Sequence, residues 1–397
     1  MDCEAYVVPN YTHYEGEDSG EEVDPGDASL IETLARCERF LGTRIVVVIC
    51  CLGVLGNVLN LLALTRRSLV AQMGKMEKSS TAGLVGLALS DLLFCLINLP
   101  NASVDYEAAH WFTLSFDAFY RIYGTSVLNI FVVSSTWLTV VMAISRYIAI
   151  CYPIHARMIV DMKFAAGSMV AVFIGAILLN LPRFWHYKLT CKYLTPDQQL
   201  IYPHSEPKWY ELHPGVLNRA SAGWRAYIIV YFIFAVLIPL LTLAFCNVYL
   251  VRALRQSAKM RSQMMRRDQE SSDATRVVTL TLTVIVVANI LLVAPCEIFT
   301  FFDQIVNEDI VNVKTHAIYN FVVSILNVLQ VISFSFNFVL YILINTRFRR
   351  AIKDIFTCKK GSTDRASRMS YSSMTQQTSV PLTRITNHDT KDSGEQY

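Results

Sequence analysis

"AISRYIAICYPIHA", Ala143–Ala156, closes a long apolar run and sets one arginine, Arg146, among apolar neighbours. A charge inside hydrocarbon is costly, so an arginine kept there marks a helix end where it reaches water or a partner. The run behind it, 117–151, is long enough to cross a bilayer, which takes about 20 mostly apolar residues. Six more stretches qualify: 42–66, 80–101, 164–184, 224–253, 275–304 and 314–345. The composition agrees. Apolar residues make up 53% and charged residues 17%, against about 25% charged in soluble domains, and mean hydropathy is +0.37. The expected fold is an all-α membrane protein, a seven-transmembrane helix bundle.

The flanks set a direction. Arg66, Arg67, Lys75 and Lys78 follow the first span, Arg157 and Lys163 the third, Arg252, Arg255 and Lys259 the fifth, and Arg347, Arg349 and Arg350 the seventh. All of these fall on one side, which the positive-inside rule makes cytoplasmic. The N-terminus is then extracellular, and the sequons at Asn10 and Asn101 fall on that same outer side. Residues 1–35 hold ten acids and no Lys or Arg, so 1–40 is expected to be an acidic, irregular extracellular segment. No charged and then apolar leader opens the chain, so the first span is expected to direct insertion. The receptor-sized body is 41–357. It ends in "NTRFRRAIKDIF", whose Phe348, Ile352, Ile355 and Phe356 share one face, an amphipathic membrane-surface helix. The Ser/Thr-rich 358–397 is expected to be a disordered cytoplasmic tail.

Polar residues inside spans are rare and mark function by default. Asn57 in "GVLGNVLNLLAL", Asp91 in "LALSDLL", Ser135 in "VVSSTWL", and Ser333 and Asn337 in "VISFSFNFVLY" lie at comparable depths. A bundle can gather them into a cluster whose carboxylate holds a proton or a small cation such as Na⁺. The alternative is plain helix–helix adhesion. No other cofactor is expected, and the ten cysteines form no C-x-x-C or Cys/His metal pattern.

"GNVLN", "LALSDLL", "SRYIAICYPIHA" and "NFVLY", in this order and followed by an amphipathic helix, resemble a rhodopsin-like G-protein-coupled receptor over residues 40 to 360. The resemblance implies a receptor that opens a cytoplasmic cleft for a heterotrimeric G protein when an agonist binds. It makes Arg146 the arginine of the D/E-R-Y motif, with Tyr147 beside it, and Asp91 the sodium-site carboxylate. Asn337 and Tyr341 fall at the ends of N-P-x-x-Y. Ser145 replaces the acid before Arg146, Phe338 replaces the proline after Asn337, and Asn247 stands where many relatives have tyrosine. "LPRFW", "IPLLTLAFCN" and "NFVLY" together look like invertebrate FMRFamide-type neuropeptide receptors.

Aligned on Arg146, span three carries Leu128 where amine receptors have aspartate. Span seven has no lysine beyond Lys314 at its edge, so retinal is excluded. Glu297, two residues past Pro295, is expected to face the outer cavity and read the arginine of an amidated peptide, with Asp303 above it; alternatively it pairs internally. Tyr123, Asn129, Tyr231 and Asn327 are expected pocket walls. The family's usual loop cysteine is Cys191, but Arg121 takes the place of its span-three partner, so Cys37–Cys191 is the expected disulfide. Cys358 is a palmitoylation candidate, membrane lipid a partner of the amphipathic helix, and the phosphorylated tail an arrestin site. Nucleic acid is not expected. A non-peptide ligand, or an ion or solute transporter built around Asp91, remains open. No phosphate loop, metal-ligand set or nucleophile/base pattern suggests an enzyme.

Overall fold

The computed structural model describes residues 4–6, 25–71, 73–104, 114–194, 208–214, 217, 221–261, 283–284, 286–306, 313–344 and 346–357. Asn10, Cys358, the tail, and the base of span six with Asp273 and Thr275 lie outside them, as do the side chains of Asn101, Arg121, Cys191 and Tyr341. Among the described residues, seven helices are long and apolar enough to cross a membrane: Gly26–Leu64, Lys75–Pro100, Ile122–Cys151, Met162–Trp185, Ala222–Ala253, Val286–Ile305 and Val313–Ser335. These carry spans one to seven; span one itself is the last part of its helical run, Val46–Leu64. Each crossing reverses direction, so the starts of the odd spans and the ends of the even spans share one end of the bundle, here the entry end.

The chain separates into two units, Met1–Ile352, which holds every span, and Lys353–Tyr397, whose described part continues helically to Phe356.

Two findings depart from the sequence reading at the entry end. Pro25–Phe40, expected to be irregular, is a helix that runs through a π-helical turn at Leu41–Ile45 into span one. The acidity that suggested disorder ends within it: Arg36 pairs with Glu32 one turn back at 2.7 Å, and Arg39 sits in the last turn. Cys37, fixed on this helix, is an exposed free thiol, which corrects the expected Cys37–Cys191 bridge. Cys191 lies in a strand, Tyr187–Leu194, that pairs antiparallel with Lys208–Pro214 and parallel with Glu4–Tyr6.

Close contacts explain several small residues. A side chain at Gly53 would lie 2.7 Å from Cys95 Sγ, and one at Gly56 would lie 3.0 Å from Phe338 Cβ. Span one thus lies flush against spans two and seven. Gly56 is what admits the phenylalanine that replaces the family's proline, and the Phe338 ring then meets Phe348 edge-on at 6.1 Å. Even without that proline, the helix of span seven breaks at Phe336 and resumes at Asn337–Ile344. In span five a π-helical stretch, Phe232–Leu237, loosens the ladder, and Trp137 of span three donates its indole N–H to the Phe234 carbonyl at 3.1 Å.

Candidate functional site: three polar centres along one bundle

The deepest centre is built on Asp91, which is fully buried. Ser135 Oγ of span three donates to its Oδ1 at 2.7 Å, and Asn337 Nδ2, just past the break in span seven, donates to its Oδ2 at 2.5 Å. Asn57 Nδ2 fastens span one to the Phe334 carbonyl at 3.1 Å, and Asn60, also fully buried, leans on Asn57 Oδ1 at 3.4 Å. Span seven also contributes Ser335, whose Oγ lies 3.5 Å from Cys95 Sγ; among the described residues, Ser333, which is half-buried, makes no hydrogen bond to the carboxylate. A continuous helix would set residues 333 and 337 on one face. The turn at Phe336 instead brings 335 and 337 against Cys95 and Asp91, one turn apart on span two. A carboxylate with a serine hydroxyl beside it offers the oxygen ligands that a small hard cation takes, while the Asn337 amide here presents its nitrogen.

The second centre opens at the entry end. A cavity of about 480 Å³ is walled by the helical turns that lead into span one and by spans two, three, four, six and seven, a size in the range of small-ligand sites. Asn129, Asn327 and Glu297 line it. Glu297 Oε1 accepts from Gln330 Nε2 at 2.8 Å, and Arg183, which shares the wall, attracts the carboxylate. Arg183 is held from behind: its Nε donates to Tyr227 Oη at 3.1 Å, and its guanidinium lies 4.4 Å above the Tyr231 ring. Tyr231 is therefore a buried floor for Arg183 rather than a wall. Tyr123 stacks on Phe184 at 5.8 Å, and Asp303 accepts from Gln304 Nε2 at 3.5 Å without lining the cavity.

Arg183 is the residue that sequence reasoning missed. It stands in "LPRFW", which was read only as a family signature. A lone arginine at the end of an apolar span carries the same signal that singled out Arg146. The rim is tied down beside it: His186 stacks on Trp224 at 3.9 Å, and Trp224 donates to Gln304 Oε1 at 3.2 Å.

The third centre is Arg146, at the end opposite the cavity. Only 4% of it is exposed, and its Nε and Nη2 have no hydrogen-bond partner. Ser145 gives its hydroxyl to the Val141 carbonyl at 2.7 Å, one turn back, so it does not hold the arginine. Glu77, at the start of span two, is the acid whose charge acts on it. Tyr147 turns toward span five, edge-on to Phe245 at 5.7 Å and Tyr249 at 5.8 Å. Asn247 is buried nearby on that span with both amide atoms unsatisfied.

Three features now stand together: seven spans, a polar seam between them, and charged centres at opposite ends. Comparison with known proteins places them in a family. Residues 44–359 match the family described as serpentine type 7TM GPCR chemoreceptor Srw. The chain is 25% identical to the FMRFamide receptor of Drosophila melanogaster over 91% of its length, spanning 63% of that receptor. It is 24% identical to the sex peptide receptor of the same fly, covering 76% of this chain and 69% of that one. With galanin receptor type 1 of Rattus norvegicus it shares 23% over 81% of this chain and 84% of that one. The chain belongs to the serpentine seven-transmembrane G-protein-coupled receptor family and is a receptor, not an enzyme.

Proposed function

We propose that this protein is a plasma-membrane receptor, its N-terminus extracellular, that binds an amidated, arginine-containing neuropeptide and activates a heterotrimeric G protein. The observation that supports this most is the half-buried Glu297 in the wall of an open cavity. One of its oxygens is committed to Gln330, which leaves Oε2 for a ligand guanidinium; Arg183 beside it can donate to a ligand carbonyl. Paired opposite charges in the wall keep the ligand-free site near neutral, and a ligand offering both a cation and an acceptor replaces what each loses. The relatives named as FMRFamide, sex peptide and galanin receptors agree with a peptide ligand.

At the opposite end, the two unpaired donors of Arg146 are available to a G-protein carbonyl or carboxylate. Around this core the reading includes glycans at Asn10 and Asn101, a lipid on Cys358, a phosphorylated tail for arrestin, and Na⁺ at Asp91. In cells expressing the receptor, a library of amidated peptides read by calcium and cAMP is expected to yield an agonist. Glu297→Gln is then expected to weaken its potency tenfold or more, the loss of about 1.4 kcal/mol. Unchanged potency at normal surface expression would remove Glu297 from recognition. The family description as chemoreceptors favours one second reading, a small non-peptide ligand, and a response to small molecules with none to peptides would select it.

A further inference from the structure

The cavity has a wall that seven spans alone do not provide. Glu38, Arg39, Gly42 and Thr43 line it, and all four belong to the helix that precedes span one or to the π-helical turn that joins the two. That helix packs along span seven, and at its far end Asp27 Oδ1 meets Lys314 Nζ at 2.6 Å. Both side chains are only partly exposed, at 38% and 41%.

The joint has the character of a hinge. π-Helical turns are uncommon and concentrate at functional sites, and Thr43 donates its hydroxyl to the Arg39 carbonyl at 2.8 Å across this one. Gly42 lines the cavity, and a side chain added there would meet no atom within 4 Å, so it could be accommodated without displacing packed protein.

We propose that the helix Pro25–Phe40 is a functional wall of the ligand site, hinged at Leu41–Ile45 and held over the cavity by the Asp27–Lys314 clasp. The identity of the ligand as a peptide rests on the reading above; the wall itself does not. A peptide longer than the cavity leaves it past Glu38 and Arg39, so this helix contacts residues that the buried floor never reaches. The Asp27–Lys314 pair is partly exposed, and an ion pair of that kind is weak enough to open and re-form as ligand enters.

Two measurements test this. The first needs no ligand. In Thr43→Cys receptor, labelling of position 43 by a charged, water-soluble thiol reagent is followed by peptide mass mapping, with Asp27 and Lys314 native, with Asp27→Lys, and with Asp27→Lys/Lys314→Asp. Asp27→Lys sets two cations face to face and is expected to speed labelling about threefold to tenfold, and the charge swap to restore the slow rate. Equal rates in all three would overturn the clasp. The second uses whichever agonist the screen yields, peptide or small molecule, on Gly42→Leu receptor at matched surface expression. Potency is expected to fall about tenfold or more, and unchanged potency would overturn the wall. A receptor answering no amidated peptide while still showing clasp-dependent labelling would reject the peptide reading and keep the wall.

Discussion

Asp91 and Arg146 are both ionisable, both buried, and close to the same helix contacts, yet they are treated in opposite ways. Asp91 has a donor on each oxygen, from spans three and seven, and so joins three helices at one point. Arg146 keeps two donors, Nε and Nη2, without a hydrogen-bond acceptor among the described residues. A buried charge without partners is among the costlier features a fold can retain. The contrast between a satisfied group in the middle of the bundle and an unsatisfied one at its end teaches that the two places are built differently: the middle holds helices together, and the end leaves donors free of that duty. The carboxylate is a fastener, and the guanidinium is an unfilled contact.

The largest expected effect comes from breaking the fastener. Asp91→Ala strands the Ser135 hydroxyl and the Asn337 amide, and each hydrogen bond to a charged group is worth about 1.5–3 kcal/mol. The detergent-solubilised receptor should lose about 3 kcal/mol of stability, read as a lower thermal midpoint, with Asp91→Asn milder. Replacing the unfilled contact should act in reverse. Arg146→Met removes two unsatisfied donors from a buried site, and is expected to raise stability by about 1–3 kcal/mol while agonist-driven GTP exchange falls to the basal level. If the midpoint drops instead, Arg146 has a resting partner and the contrast with Asp91 dissolves. The smallest effect sharpens the comparison. Ser145→Asp supplies the acid that this chain lacks, next to the unpaired Nε, at a site only 9% exposed. Basal GTP exchange should fall about twofold to fivefold, on the scale of one weak ion pair; no change would assign the resting state to Glu77 or another group.

Much of this was legible before any coordinates. The seven spans, their order and the polar seam follow from hydropathy and from the scarcity of polar residues in apolar runs, and the boundaries agree within a few residues for spans two, four and five. Span one was misjudged because acidity outweighed helical pairing in the reading of residues 25–40, and the Cys37–Cys191 bridge failed with it. Depth along the spans points to Ser333, but depth does not say which way a side chain faces, and the turn at Phe336 puts Ser335 against Cys95 instead. Arg183 went unnoticed because nothing local says which way the end of an apolar span points.

The sequence by itself determined the class of the fold and which residues are too polar to be idle, since a bilayer penalises every unpaired polar group wherever the helices happen to sit. Only the tertiary structure decided the pairings: that Asp91 is shared by Ser135 and Asn337, that Glu297 and Arg183 share one wall, and that Arg146 keeps Nε and Nη2 unsatisfied among the described residues. Those outcomes depend on how helices rotate and break against one another, at Gly53, Gly56 and Phe336 above all, and rotation is a property of packing between segments that no single segment encodes.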